Sequence, residues 1–303
     1  VAETRAPVES TLPAHPVVLL TGASTGIGLA LAQKLTAWPS GHIVLTARDT
    51  SLHRLEQRGL GESDRVWLRA LDVTDSQQRH RLIDEIHDRL GGVDILINNA
   101  GIVYRSVTEH IDEAEALKQL STNFLGPMDL IRLVLPRMRE KGFGRVINIS
   151  SVSGMMAMPT MGAYSGSKFA LEGASESLWY EMKPWGIHIT LVQPGFIHSN
   201  SFQNVIPSKL AQTAIGDAKD PYHVVYLSME PFIKRLMSLA RATPDDIAKR
   251  VLATLRQKNP RLRVFATIDA RFFYMLRRTL PRKVFHALLY RALPQIDKWG
   301  PKP

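Results

Sequence analysis

No cysteine occurs anywhere in the chain. Disulfides, a thiolate nucleophile and cysteine-ligated metal sites are therefore excluded by chemistry, and nothing points to an oxidising compartment. Long apolar runs are also missing, and none approaches the roughly 20 residues that a helix needs to cross a bilayer. The opening stretch VAETRAPVESTLPAHP has acids and prolines where a secretory leader has a basic and then an apolar segment, so no leader is expected. A cytoplasmic location is the resulting expectation. No repeat of fixed period and no low-complexity linker divides the sequence, so residues 1–303 are expected to form one domain.

Acidic residues are scarce at one end only. The net charge is +10, yet residues 261–303 hold ten Lys or Arg against Asp269 and Asp297, a net of +8, which leaves +2 on the first 260 residues. The excess is a property of a tail, not of the whole chain. Hydrophobic residues make up 45% and charged residues 22%, enough apolar material for a large core in a globular protein.

Short, β-branched runs recur at 17–21 (VVLLT), 42–47 (HIVLTA), 66–71 (VWLRAL), 93–98 (VDILIN), 145–150 (RVINIS), 187–192 (IHITLV) and 262–266 (LRVFA). Their continuous hydrophobicity suits strands covered on both faces, as in a parallel sheet. Segments of helical period lie between them at 27–38, 76–90, 128–141 and 168–183. This alternation predicts an α/β fold: a doubly wound, Rossmann-type parallel sheet of about seven strands with helices on both faces. After about residue 196 the pattern breaks. Residues 196–260 read as an irregular, proline-punctuated insertion placed to act as a substrate lid, and 267–303 as a basic, amphipathic C-terminal extension.

Directly after the first strand comes TGASTGIG, Thr21 to Gly28. Gly22 permits the tight turn, while Gly26 and Gly28 remove side chains so that a pyrophosphate can approach a helix N-terminus. A nucleotide role follows from a glycine-rich turn at a strand-to-helix junction. Three further motifs follow in order: NNAG at 98–101, a serine upstream of Y-x-x-x-K at 164–168, and PG at 194–195. With this glycine spacing they resemble the short-chain dehydrogenase/reductase family over roughly residues 15–200. The resemblance implies an NAD(P)-dependent oxidoreductase acting on a CH–OH group.

NAD recognition needs an acid at the end of the second strand, whereas a 2′-phosphate needs a cation there. LTARD places Ala47 at that position with Arg48 beside it, and a guanidinium suits phosphate in charge and shape. NADP(H) is therefore preferred over NAD(H), although Asp49 offers either an ion pair or a ribose contact. Ser24, inside the turn, offers the same phosphate a hydrogen bond. The resemblance further implies that Asp72 contacts the adenine, an alternative being a helix cap near Ser76. It also implies that Asn99, Ala100 and Gly101 line the cofactor path and that Pro194 and Gly195 meet the nicotinamide carboxamide. Thr25, Ile27, Val73 and Ile197 complete the expected cofactor contacts, and Ser199 stands where many relatives carry threonine.

Carbonyl reduction needs a proton donor, a second hydrogen bond on the oxygen and fixed geometry. Tyr164 and Lys168 lie one helical turn apart. The resemblance implies that the Lys168 ammonium lowers the Tyr164 pKa and holds the nicotinamide ribose. Family spacing assigns the oxygen-orienting hydroxyl to Ser151, thirteen residues before the tyrosine, while Ser153, Ser165 and Ser167 read as turn or helix-surface residues. Asn123 matches the family's proton-relay position; taken alone it also reads as a polar loop or helix residue. No metal is called for.

FALEGASESL, TARD and the extension past the sixth strand resemble the 17β-hydroxysteroid and retinol dehydrogenase subgroup. The expected partner is thus a lipophilic carbonyl or alcohol, steroid-, retinoid- or lipid-like, and homo-oligomerisation to a dimer or tetramer is expected. Phe202, Val205, Ile206, Tyr222, Val225, Tyr226, Phe232 and Met237 are candidates for an apolar pocket or for the lid's own core. In the tail, Phe285, Leu288, Leu289 and Ala292 share a helical face with Lys283 and Arg291 opposite. That pattern fits peripheral contact with anionic lipid, a subunit contact, or docking of an acidic acyl carrier. Nucleic acid is not expected, because no recognition motif accompanies the charge. Alternatives are a reductase of carrier- or CoA-linked 3-oxoacyl chains and a non-catalytic NADP-binding module.

Overall fold

The computed structural model describes residues 12–198 and 205–300. Its strands are β1 (Val17–Leu20), β2 (His42–Ala47), β3 (Val66–Ala70), β4 (Ile95–Asn98), β5 (Val103–Arg105), β6 (Gly144–Ile149), β7 (Ile187–Gln193), β8 (Val205–Pro207) and β9 (Arg263–Phe265). Seven of them form one parallel sheet in the order β3-β2-β1-β4-β6-β7-β9. These are the seven strands expected from the sequence, and the Rossmann-type fold is borne out. β5 and β8 form a separate parallel pair, too short and too weakly apolar to stand out in the sequence.

The side-chain alternation of each strand divides the core in two. Val18, Leu20, Ile43, Leu45, Ile95 and Ile97 point to the layer of α1 (Gly26–Thr36) and α9 (Pro244–Leu255). Val17, Leu19, Val44 and Leu96 point to the other layer, built from α3 (Ser76–Leu90), α5 (Gly126–Lys141) and α6 (Gly162–Met182). Burial on both faces explains why the strand sequences are almost continuously apolar. The order reverses between β1 and β4, which opens a crevice at their carboxyl ends.

Residues 196–260 differ from their sequence reading. In place of irregular chain, α7 (Lys209–Gly216) and α8 (His223–Leu239) form helices, with Pro231 inside α8. The last third is not lid at all. α9 buries Ile247, Ala248, Val251 and Leu255 against α1, and its Thr243 cap with Asp246 at the third helical position explains its sharp start. α2 (Asp49–Glu56) and α4 (Glu113–Leu120) complete the body, and α10 (Ile268–Thr279) and α11 (Arg282–Arg291) form the extension. Among the described residues no helix is long and apolar enough to cross a membrane.

Candidate active site

A cavity of about 680 Å³ occupies the crevice. At one end lies the glycine turn. Gly22 has φ +67°, and a Cβ there would sit 2.8 Å from the Ala100 Cα. A Cβ on Gly28 would lie 2.0 Å from the Gly22 carbonyl oxygen, so Gly28 is a packing requirement beneath the turn and does not itself line the cavity. Gly26, at φ +55°, has open space beyond it. Asn99 braces the turn by donating from Nδ2 to the carbonyls of Thr21 (3.0 Å) and Gly22 (2.9 Å), and Thr21 Oγ1 accepts from the Asn99 and Ala100 N–H groups. α1 has no acid in its first turn, so Ser24, Thr25, Gly26 and Ile27 present the positive end of a helix to the cavity.

Beyond β2, Arg48 lines the cavity together with Ser51 and Arg54 of α2, whereas Asp49 does not. Asp72 lines it too and folds its carboxylate onto Thr74, accepting from the N–H (2.9 Å) and Oγ1 (2.7 Å). The cap of α3 is Asp75, which accepts from Gln78 N, so Asp72 is free of that structural duty. Val73, Ala100, Gly101, Pro194, Gly195 and Ile197 also reach the cavity. Ser199 and Phe202 lie outside the described residues.

At the centre stand Ser151, Tyr164 and Lys168. Lys168 Nζ donates to the Ile149 carbonyl at 2.8 Å and lies 5.9 Å from the centre of the Tyr164 ring. Burial pushes the lysine down to about 8, with Glu172 opposing the shift from one turn further along α6. Burial pushes Tyr164 up, while its hydrogen bond with Ser151 pulls it down. The expected lowering of Tyr164 by Lys168 is therefore not what governs it here: burial outweighs its neighbours.

Asn123 does not line the cavity. It sits, 1% exposed, in a π-helical turn, Ser121–Leu125, where Gly126 N donates to Ser121 O, five residues back. Its Oδ1 accepts from Ile102 N (2.9 Å), and its Nδ2 donates to Ile102 O (2.9 Å) and Ser167 Oγ (3.0 Å). Ser167 in turn donates to the Tyr164 carbonyl at 2.7 Å. Ser165 and Ser167 are thus buried, not surface residues, because α6 is covered on that side by α4 and the π turn.

Apolar side chains close the far end: Met158, Met161, Phe196, Val205, Ile206 and Met237, with Ile233 as a neighbour that sequence reasoning missed. Of the remaining lid candidates, Tyr226 is buried in the lid's own core with Tyr222 packed against it. Val225 is also buried, and Phe232 does not reach the cavity. Arg54 was missed as well; its signal was the i, i+3, i+6 spacing of Arg48, Ser51 and Arg54 on one helical side. The tail changes most. Phe285, placed by the sequence on a face for lipid or a partner, is 3% exposed against Val152 and Met156, with Leu289 beside it, while Leu288 is 47% exposed. Among the described residues no cluster of His, Asp or Glu is placed to hold a metal ion.

The family model "short chain dehydrogenase" matches residues 16–209. Human 17-beta-hydroxysteroid dehydrogenase type 1 is 32% identical over 283 residues, covering 88% of this chain and 81% of that protein. A 3-ketodihydrosphingosine reductase of Bacteroides thetaiotaomicron is 40% identical over 188 residues, 62% of this chain and 66% of that one. The crystal structure of a short-chain dehydrogenase from Streptomyces avermitilis superimposes with a TM-score of 0.76 at 30% identity, covering 92% of this chain and 96% of the other.

Proposed function

Because this chain belongs to the short chain dehydrogenase family of oxidoreductases, we propose that it interconverts a ketone and a secondary alcohol on a lipophilic molecule, steroid-, retinoid- or lipid-like, with NADP(H) as cofactor. One observation carries the reading: a single cavity joins the cationic end at Arg48 and Arg54, the hydroxyls at Ser151 and Tyr164, and an apolar chamber at Met158, Val205 and Met237. The residues fit a dinucleotide. Gly26 leaves open space in the cavity beside Ser24, Thr25 and Ile27, and the acid-free start of α1 suits a pyrophosphate there. Arg48, Ser51 and Arg54 suit a 2′-phosphate, with Asp49 turned away.

When bound, NADP(H) supplies or accepts the hydride. The Tyr164 hydroxyl, kept protonated at neutral pH by burial, donates its proton to the developing alkoxide oxygen and takes it back in the oxidative direction. Ser151, which lines the cavity beside Tyr164 and pulls its pKa down, holds the same oxygen and fixes its direction. Lys168 acts one turn below, its ammonium tethered to the Ile149 carbonyl, and would hold the nicotinamide ribose. Asn123 holds the Ile102 backbone and the Ser167 hydroxyl, which donates to the Tyr164 carbonyl, so it acts as a positioning residue beneath Tyr164. The apolar chamber excludes water from the transfer.

Turnover of steroid, retinoid, acyl and small ketones with NADPH and with NADH tests the reading. Tyr164→Phe is expected to lower kcat by about 10² to 10⁴ while leaving cofactor affinity near wild type. Tight cofactor binding without turnover on any carbonyl would mark a nucleotide-binding module instead, and near-full turnover by the variant would exclude Tyr164 as the acid.

A further inference from the structure

The turn after β7 is held from an unexpected direction. Pro194 O accepts from Val152 N at 2.7 Å. Gly195 N donates to Thr267 Oγ1 at 2.9 Å, and Phe196 N donates to Asp269 Oδ2 at 2.8 Å. Thr267 is the N-cap of α10 and Asp269 lies in its first turn, where the helix favours an anion. Gly195 is not required by its backbone angle, which is outside the left-handed region; a Cβ there would fall 1.9 Å from Asp269 Oδ2. The carboxylate of the extension thus occupies the space that a side chain at 195 would need.

We propose that Asp269, together with Thr267, is a positioning pair that sets the Pro194–Phe196 backbone at the nicotinamide end of the site, which makes the C-terminal extension part of the cofactor clamp. The inference rests on the dinucleotide reading above. Pro194, Gly195 and Phe196 still line the cavity, but with both N–H groups turned into the extension the next backbone donor available to the nicotinamide end is that of Ile197. The pair is itself anchored. Phe285 of α11 packs on Val152 and Met156, and Trp299 Nε1 donates to Ser228 Oγ of α8 at 3.1 Å, so the extension touches the catalytic loop and the lid as well as the turn.

Calorimetric titration of the full chain separates the two ends of the ligand. NADPH is compared with 2′-phospho-ADP-ribose, and NADH with ADP-ribose; the shorter ligands carry the adenine end and lack nicotinamide. Asp269→Ala is expected to weaken NADPH by about tenfold and 2′-phospho-ADP-ribose by less than about twofold. Asp269→Asn, which keeps an acceptor oxygen, is expected to recover NADPH binding to within about threefold of wild type. Gly195→Ala should give the same selective loss, and the double variant Gly195→Ala/Asp269→Ala should bind no worse than Asp269→Ala alone, because the carboxylate that the new methyl would meet is gone. Unchanged NADPH binding in Asp269→Ala, equal losses for both ligands, or additive losses in the double variant would overturn the positioning pair while leaving the dinucleotide reading intact. A wild-type chain that binds neither ligand would overturn that reading, and the pair with it.

Discussion

Lys168 meets two opposed demands, since a buried ammonium is costly and yet its position between Tyr164 and Glu172 gives it a purpose. Its pKa of about 8 in the folded chain lies below the ordinary 10.5, and the sign of the linkage follows. Below about pH 8 the lysine is protonated in both states and contributes no slope. Between about 8 and 10.5 the unfolded chain binds the extra proton, so stability rises with pH across that window and levels off above it. Urea unfolding at a series of pH values is expected to show this rise in the wild type and its loss in Lys168→Met. An identical slope in both chains would remove the argument. The glycine turn makes a related point about legibility. The spacing of Gly22, Gly26 and Gly28 was plain in the sequence, but their separate reasons were not: Gly22 and Gly26 both need a left-handed φ, Gly22 also against Ala100 and Gly26 facing open space, while Gly28 sits under a carbonyl.

At the scale of elements, the proposed preference for NADP(H) rests on α2. Arg48 caps it, and Ser51 and Arg54 follow on the cavity side. Arg54→Ala is expected to raise the KM for NADPH about tenfold and leave that for NADH within about twofold, because only the former brings a 2′-phosphate to the guanidinium. Steady-state kinetics with both cofactors reads this directly, and equal effects would remove Arg54 from phosphate recognition. α2 escaped the sequence reading because DTSLHRLE has only two leucines to mark a buried side. The seven strands were legible for the opposite reason, since burial on both faces leaves few alternatives to apolar, β-branched residues. Asn123 shows where spacing runs out. Its residue type was readable, but its three hydrogen bonds depend on a π turn that shifts the helix phase by one residue, and no local pattern announces such a turn.

For the molecule as a whole, charge and exposed apolar surface coincide on the extension. Ile268 (89% exposed), Phe272 (59%) and Met275 (50%) follow one side of α10, with Arg271 and Arg278 beside them. Phe285 and Leu289 of the α11 face pack on Val152 and Met156 while Leu288 stays exposed, so a lipid contact would use chiefly α10. Such a contact predicts co-flotation with vesicles containing phosphatidylserine, release at about 0.5 M salt, and weaker binding by Phe272→Glu. Flotation that does not depend on phosphatidylserine would remove charge from the contact, and concentration-dependent self-association lost in the same variant would point to a subunit contact.

The small β5–β8 pair ties the segment before α7 to the turn after β4. Parallel pairing joins Val103–Arg105, just past the cofactor-side turn, to Val205–Pro207 at the start of the described lid. Beside it, Ser208 Oγ donates to His110 O, and Val107 N donates to Tyr226 OH. With three residues a side and only a few bonds beside it, this ladder belongs to the low end of local stability. Amide hydrogen exchange is therefore expected to release Tyr104, Val107 and Ile206 together, well ahead of Leu96 and Ile147 in the central sheet.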